Sequence, residues 1–246
     1  MEKVKELSIG TWISTGSPVI TEVVASLGFD WLLFDLEHGC MTEADVVSNL
    51  QAASKYKARV IVRIGEFKSS LIAKVLDWGA MGIMLPNAKT AEEVKKVVSA
   101  MYYPPKGLRG FSSSARAFEY GNILTKDLSE YSPLLLVQIE NRRALDEIEK
   151  IAAIDEVNVL FVGPSDLKLN LLHQEGNNII EYNRALDIVV DVAKKNNKQA
   201  GILIRDINDY SQLEESGFSC IALSSDIGIL RNGYKILLKT LGKSHI

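Results

Sequence analysis

Cysteine is scarce in this chain: it has two, Cys40 and Cys220, far apart in the sequence. Two isolated thiols fit a reducing compartment and exclude a disulfide framework. No stretch approaches the ~18 consecutive apolar residues that a membrane helix needs. The N-terminal "MEKVKEL" has lysines but no apolar segment after them, so the expectation is a cytoplasmic protein with no membrane partner. Excess positive charge is missing as well. A net charge of −3 argues against a nucleic-acid or anionic-lipid partner, because both need a basic surface to neutralise phosphates. A dinucleotide loop is absent too: "GTWISTGSP", around the first apolar run, lacks the G-x-G-x-x-G order.

What the chain does have is a rhythm. Eight short β-rich runs recur: "SIGTWI", "WLLFDL", "RVIVRI", "GIMLP", "PLLLVQIE", "NVLFVG", "AGILI" and "CIALS". Amphipathic helical patterns fill most intervals, over 17–28, 42–56, 69–79, 90–101 and 141–154. Continuous apolar strands alternating with helices suit parallel strands buried on both faces, and eight such units in 246 residues predict a (β/α)8 TIM barrel. A doubly wound open sheet is the alternative, disfavoured by the missing glycine loop. Thr42 with Asp45 and Thr90 with Glu93 read as helix-capping boxes, and Gly28, Gly79 and Gly217 sit where helix ends favour positive φ. The segment 102–122, with Pro-Pro, glycines and serines, reads as a long loop. No linker splits the chain, so residues 1–246 are read as one barrel domain.

In such a barrel the active site lies where the strands end, so the residues closing each run identify candidates. The second run closes on Asp35, Glu37 and His38, the third on Arg63, the fifth on Gln138 and Glu140, and the sixth leads into "GPSDL" with Ser165 and Asp166. Gln138 and Glu140, two apart on a strand, face the same way. Two carboxylates from neighbouring strands, Glu140 and Asp166, make an all-oxygen site suited to a hard divalent cation such as Mg²⁺ or Mn²⁺. Arg63 supplies a planar fork for a carboxylate or an enolate oxygen, and His38 a proton carrier near neutral pH. A keto acid chelating that cation would have its carbonyl polarised toward the enolate.

Structural rivals exist for each reading. Glu140 also reads as a cap of the helix starting near Asn141, Asp166 as a cap of the next helix, and Arg63 as a surface ion pair; on the catalytic reading, loss of Arg63 is expected to abolish turnover and leave the fold intact, because a strand-end charge contributes little to packing. His173 and His245 are read as solvent-facing, and the serine run 112–114 has no strand-turn-helix elbow of the kind a nucleophilic serine needs.

The order "GTW", "GFDWLLFDLEHG", "VRI", "LDWGAMGIMLP", "YYPPKGLRG", "VQIE" and "GPSDL" resembles the HpcH/HpaI-type class II pyruvate aldolases, which include 4-hydroxy-2-oxoheptanedioate and 2-dehydro-3-deoxyglucarate aldolases. The resemblance implies a phosphoenolpyruvate/pyruvate-type (β/α)8 barrel. It implies Glu140 and Asp166 as ligands of a divalent metal (Mg²⁺ or Mn²⁺ foremost, with Co²⁺ and Zn²⁺ as alternatives), and Arg63 as the residue on the pyruvyl oxygen. His38 is the implied general base and Asp77 its dyad partner, while Gln138, Trp12 and Asp35 line the pocket and Ser165 receives the substrate carboxylate. It further implies a keto acid and an aldehyde as small-molecule partners, and a homo-oligomer, a hexamer or trimer of dimers, that exchanges its last helix. The chain departs from the pattern after "GPSDL", in "GEF" after Arg63, and at Ser224, where a glycine is common. The implied reaction breaks or forms the C3–C4 bond of a 4-hydroxy-2-oxo acid, giving pyruvate and an aldehyde through a pyruvate enolate. Oxaloacetate decarboxylation, an acyl-CoA lyase and a non-catalytic keto-acid-binding barrel are the competing expectations.

Overall fold

Each of the eight apolar runs forms a strand: β1 (Ile9–Ile13), β2 (Trp31–Asp35), β3 (Arg59–Arg63), β4 (Gly82–Leu85), β5 (Leu134–Ile139), β6 (Val159–Val162), β7 (Gln199–Ile204) and β8 (Cys220–Ser225). The coordinates are a computed structural model that describes residues 8–123, 128–174 and 179–243. All strand pairs are parallel, in sequence order, and β8 pairs with β1 to close the barrel. Wrapped outside are α1 (Pro18–Ala25), α2 (Glu43–Ala53), α3 (Ser69–Asp77), α4 (Ala91–Met101), α5 (Arg142–Asp146), α6 (Ile148–Ala152), α7 (Pro164–Leu172), α8 (Tyr182–Lys195), α9 (Tyr210–Glu215) and α10 (Asp226–Thr240). His245 and "MEKVKEL" lie outside the described residues. Among the described residues no helix is long and apolar enough to cross a membrane.

The strands alternate between two cores. One set of side chains packs outward against the helices, among them Leu32, Phe34, Val62, Val137 and Leu160. The other set fills the barrel: Trp12, Trp31 and Phe161 meet edge-on or tilted with ring centroids 5.6–6.2 Å apart, backed by Leu33, Ile61, Met84 and Leu136. Room for these rings comes from glycine. A Cβ on Gly10 would sit 2.2 Å from the Trp31 ring, and one on Gly201 2.5 Å from Phe161.

Most predicted helix boundaries hold within a few residues, and Gly28, Gly79 and Gly217 take φ of 93°, 100° and 105°. The pattern over 141–154 does not make one helix. Glu147, at φ −99° and ψ 2°, leaves helical geometry and separates α5 from α6. The 102–122 segment contains a turn of 3₁₀ helix over Arg116–Gly121, with Glu119 and Tyr120 at positive φ. The final helix presents Ile229, Tyr234, Ile236 and Leu237 to solvent, with Leu241 exposed just after it. Beside its start lies a largely apolar groove of about 850 Å³, lined by Val19 and Val23 of α1 and by Leu27 just after it.

Candidate active site

Because every strand points the same way, all the strand-closing residues gather on one rim. Asp35 and Arg63 stand side by side in the β2–β3 register. Their pairing is bidentate: Arg63 Nε donates to Asp35 Oδ1 at 2.9 Å and Nη2 to Oδ2 at 2.8 Å. Asp35 Oδ1 also accepts the backbone N–H groups of Glu37 and His38 at 3.1 and 3.2 Å, so the "LEHG" turn folds around this carboxylate. Arg63 Nη1 reaches Glu37 Oε2 at 2.8 Å, and its guanidinium lies 5.7 Å from the Trp12 ring centroid. Arg63 is therefore no surface ion pair. It is buried between two carboxylates, so removing it outright would leave them uncompensated, and the expectation of an intact fold is corrected.

From Arg63 the network continues inward. Nη1 is 3.4 Å from Gln138 Oε1, and Gln138 Nε2 donates to Glu140 Oε2 at 2.8 Å, as their shared strand face predicts. The backbone N–H of Asn87, at φ 47°, donates to Glu140 Oε1 at 2.5 Å. Burial pushes the Glu140 carboxyl up to about 7; the Asn87 N–H opposes this, and the charges of Asp166 and Glu37 add to it. Glu37 is also raised by burial, against the pull of Arg63.

Neither capping rival holds. Asn141 caps α5 by accepting from Ala144 N, and the N-cap of α7 is Gly163, which has no side chain, leaving the carboxylates of Glu140 and Asp166 facing one recess. Among the described residues no three His, Cys, Asp or Glu side chains converge on a metal-sized point. Two carboxylates alone still fit a cation that keeps several waters or substrate oxygens. A Cβ on Gly163 would lie 2.2 Å from Glu140 Oε2, so glycine there keeps the carboxylate's open side clear.

The cavity at this rim, about 620 Å³, is lined by Trp12, Asp35, Arg63, Gln138, Ser165 and Asp166, together with His38. The His38 side chain is 69% exposed, its Nε2 3.9 Å from Glu37 Oε1. His173, expected in solvent, is exposed at the end of α7 and borders the recess shared by His38, Glu140 and Asp166. Asp77 is the one expected site residue that this chain does not bring to the pocket. Helix α3 runs back antiparallel to the strands and delivers Asp77 just before β4, at the opposite end of the barrel from His38. There it pairs with Arg109 at 2.5 Å, so the His38–Asp77 dyad does not form within one chain.

Three contributors went unread in the sequence. In the sequence Glu37 is only an acidic neighbour, because its hold on Arg63 depends on the turn's shape. The Asn87 N–H is a backbone donor, hinted at only by an asparagine after "MLP", a residue type that tolerates positive φ. Asp226 is buried and accepts from Ser14 N, Thr15 N and Thr15 Oγ1, tying β1's exit to the start of α10.

A family model described as HpcH/HpaI aldolase/citrate lyase matches residues 8–233. The chain is 34% identical over 240 residues to a 5-keto-4-deoxy-D-glucarate aldolase of Enterobacter sp. (strain 638), covering 97% of this chain and 94% of the relative. It is 36% identical over 227 residues to a hydroxypyruvate/pyruvate aldolase of Paraburkholderia phytofirmans, covering 89% and 86%. The crystal structure of an HpcH/HpaI aldolase/citrate lyase family protein from Burkholderia cenocepacia J2315 superposes with a TM-score of 0.88 at 31% identity, over 96% of this chain and 95% of that one. These relatives put the chain among carbon–carbon lyases. With a closed parallel barrel and its ionisable groups gathered at one mouth, the chain belongs to the HpcH/HpaI aldolase/citrate lyase family.

Proposed function

We propose that this enzyme is a divalent-metal-dependent aldolase that cleaves or forms the C3–C4 bond of a 4-hydroxy-2-oxo acid, yielding pyruvate and an aldehyde. The observation that carries the reading is the buried chain Arg63–Gln138–Glu140, ending on a carboxyl raised to about 7 beside Asp166. Such a carboxyl is uncomfortable without a cation. Glu140 and Asp166 would hold Mg²⁺ or Mn²⁺, which supplies Lewis-acid polarisation of a keto oxygen when bound.

This chain's own groups account for the rest. Arg63, fixed by Asp35 and Glu37, presents its remaining face to the developing oxyanion of the pyruvyl unit. Ser165, in the first turn of α7, offers a hydroxyl and helix N-terminal N–H groups to the substrate carboxylate. Trp12 forms an apolar wall. His38, at the wet edge of the cavity, takes the proton from the C4 hydroxyl; the C3–C4 electron pair then passes to the pyruvyl unit as the aldehyde leaves, and C3 is reprotonated.

The exposed apolar side of α10 and the groove beside α1 support a homo-oligomer in which last helices are exchanged, and sedimentation should give a species larger than one chain. In that assembly alone can Asp77 meet His38, from a different copy. The two thiols, free and unpaired with each other, support a cytoplasmic location.

The test is pyruvate release from 4-hydroxy-2-oxo acids and from oxaloacetate by metal-stripped protein, with and without Mg²⁺ or Mn²⁺. Metal-dependent release from the hydroxy-oxo acids is expected. Release from oxaloacetate alone would make it a decarboxylase, and no release would leave a binding protein.

A further inference from the structure

Between the end of β4 at Leu85 and the start of α4 at Ala91, the chain turns left-handed at one residue. Asn87 takes a φ of 47°, a conformation that costs energy for residues with a side chain and that asparagine tolerates better than most. The turn aims a backbone donor at the site. The Asn87 N–H meets Glu140 Oε1 at 2.5 Å, while Glu140 Oε2 accepts from Gln138 Nε2 at 2.8 Å. Each oxygen of the carboxylate therefore has one lone pair engaged and another to offer.

A second asparagine pins the turn. Asn141 is buried; its Oδ1 accepts from Ala144 N at 2.9 Å, capping α5, and its Nδ2 donates to Ala88 O at 3.0 Å, with Asn87 Oδ1 at 3.5 Å. Only one orientation of the carboxamide satisfies both sides, with the acceptor toward the helix and the donor toward the turn. Capping alone would be served equally by serine or aspartate, so what asparagine adds at this position is the donor. Asn141 also follows Glu140 directly, so the carboxylate and the group that fixes its donor leave β5 together. On its other side the turn is tied to α4, where Lys89 N donates to Glu93 Oε2 and Glu93 N to Thr90 Oγ1. Asn87 and Asn141 line the same recess as Glu140 and Asp166.

We propose that Asn87 and Asn141 are positioning residues for the divalent cation, locking the plane of the Glu140 carboxylate so that one fixed edge is offered to the recess it shares with Asp166. The proposal rests on the metal-dependent reading and assigns residues within it. Replacing a group that orients a metal ligand typically weakens metal binding by about 10–100-fold.

The test is Mn²⁺ binding to metal-stripped protein, read from the electron paramagnetic resonance signal of the free ion, which needs no turnover. Asn87→Val puts a β-branched residue at positive φ and should raise the Kd by about 10-fold or more. Asn87→Gly keeps both the N–H and the left-handed turn, and should restore most of that loss. Asn141→Ser retains a cap for α5 but loses the donor to Ala88, and should raise the Kd by about 10-fold. Asn197→Val is the control. Asn197, at φ 55° between α8 and β7, meets the same backbone conflict at the opposite rim, so its replacement should lower the melting temperature and leave the Kd alone. An unchanged Kd in Asn141→Ser overturns the proposal, and decides the matter if Asn87→Val does not fold. Equal losses in Asn87→Val and Asn197→Val, or in Asn87→Val and Asn87→Gly, also overturn it. If the wild type holds no Mn²⁺, or Glu140→Gln holds it as tightly as the wild type, the metal-binding reading beneath the proposal fails instead.

Discussion

Two arginines are buried against aspartates at opposite ends of the barrel, and their surroundings differ. Arg63 is gripped from one side by Asp35 and Glu37 and looks into a cavity on the other. Arg109 pairs with Asp77 and is flanked by aromatic rings, its guanidinium 4.7 Å from the Tyr103 centroid and 4.8 Å from that of Tyr131. That enclosure is apolar enough for burial to push the Tyr103 hydroxyl up to about 12. A buried ion pair by itself therefore marks no active site. What distinguishes Arg63 is a free face directed at space where charge can develop.

The sharpest way to break this comparison is to keep the charge and remove the fork. Arg63→Lys should lower kcat/KM for pyruvate release by about 10³-fold, the scale of losing an oxyanion donor, with a melting temperature close to wild type. A loss of only a few-fold would put Arg63 in the same class as Arg109. The converse change, Arg109→Ala, should cost about 3–5 kcal/mol in urea denaturation, because it strands Asp77 beside buried rings. Activity per folded molecule should hold; if it falls instead, the far pair takes part in catalysis through the assembly.

A third test uses pH. Free Glu140 would titrate near 4.5, whereas burial holds it at about 7 in the folded chain. Between those values the folded state binds more protons than the unfolded one, so stability falls as pH rises. For metal-free protein the fall from pH 4.5 to above 7 should be roughly 3 kcal/mol, at ~1.4 kcal/mol per unit. Glu140→Gln should flatten it, and added Mg²⁺ should oppose it at pH 8. A slope that survives Glu140→Gln would mean that another group carries the burial cost.

The smallest effect concerns the cavity's other wall. Ser224 holds φ at 53°, a left-handed conformation that glycine adopts without penalty. Ser224→Gly should raise stability by about 1 kcal/mol in urea denaturation.

How much of this was legible in the sequence follows from which interactions are local. The strands were readable because parallel strands buried on both faces must be continuous apolar runs, and "LLLVQI" or "RVIVR" has few alternatives. Glu140, Asp166, Gln138 and Arg63 followed from one rule, that strand ends share a rim. Asp77 stands apart from His38 within one chain for a reason the same topology supplies: a residue ending a helix lies at the other rim, and similarity of motif carries no information about which copy it serves. The break at Glu147 was unreadable because "NRRALDEIEKIAAI" keeps its helical period across it.

Closure of the barrel has a kinetic consequence. The seam joins β1 to β8, with Thr11 Oγ1 donating to Leu223 O across 212 residues of sequence. During synthesis the edge of β1 that faces β8 stays unpaired until β8 itself has been made. Long-range pairings of this kind fold slowly and leave edges open to wrong partners in the meantime. The seam thus cannot close before β8 is made, and a translation product interrupted ahead of β8 would keep that edge of β1 open to aggregation.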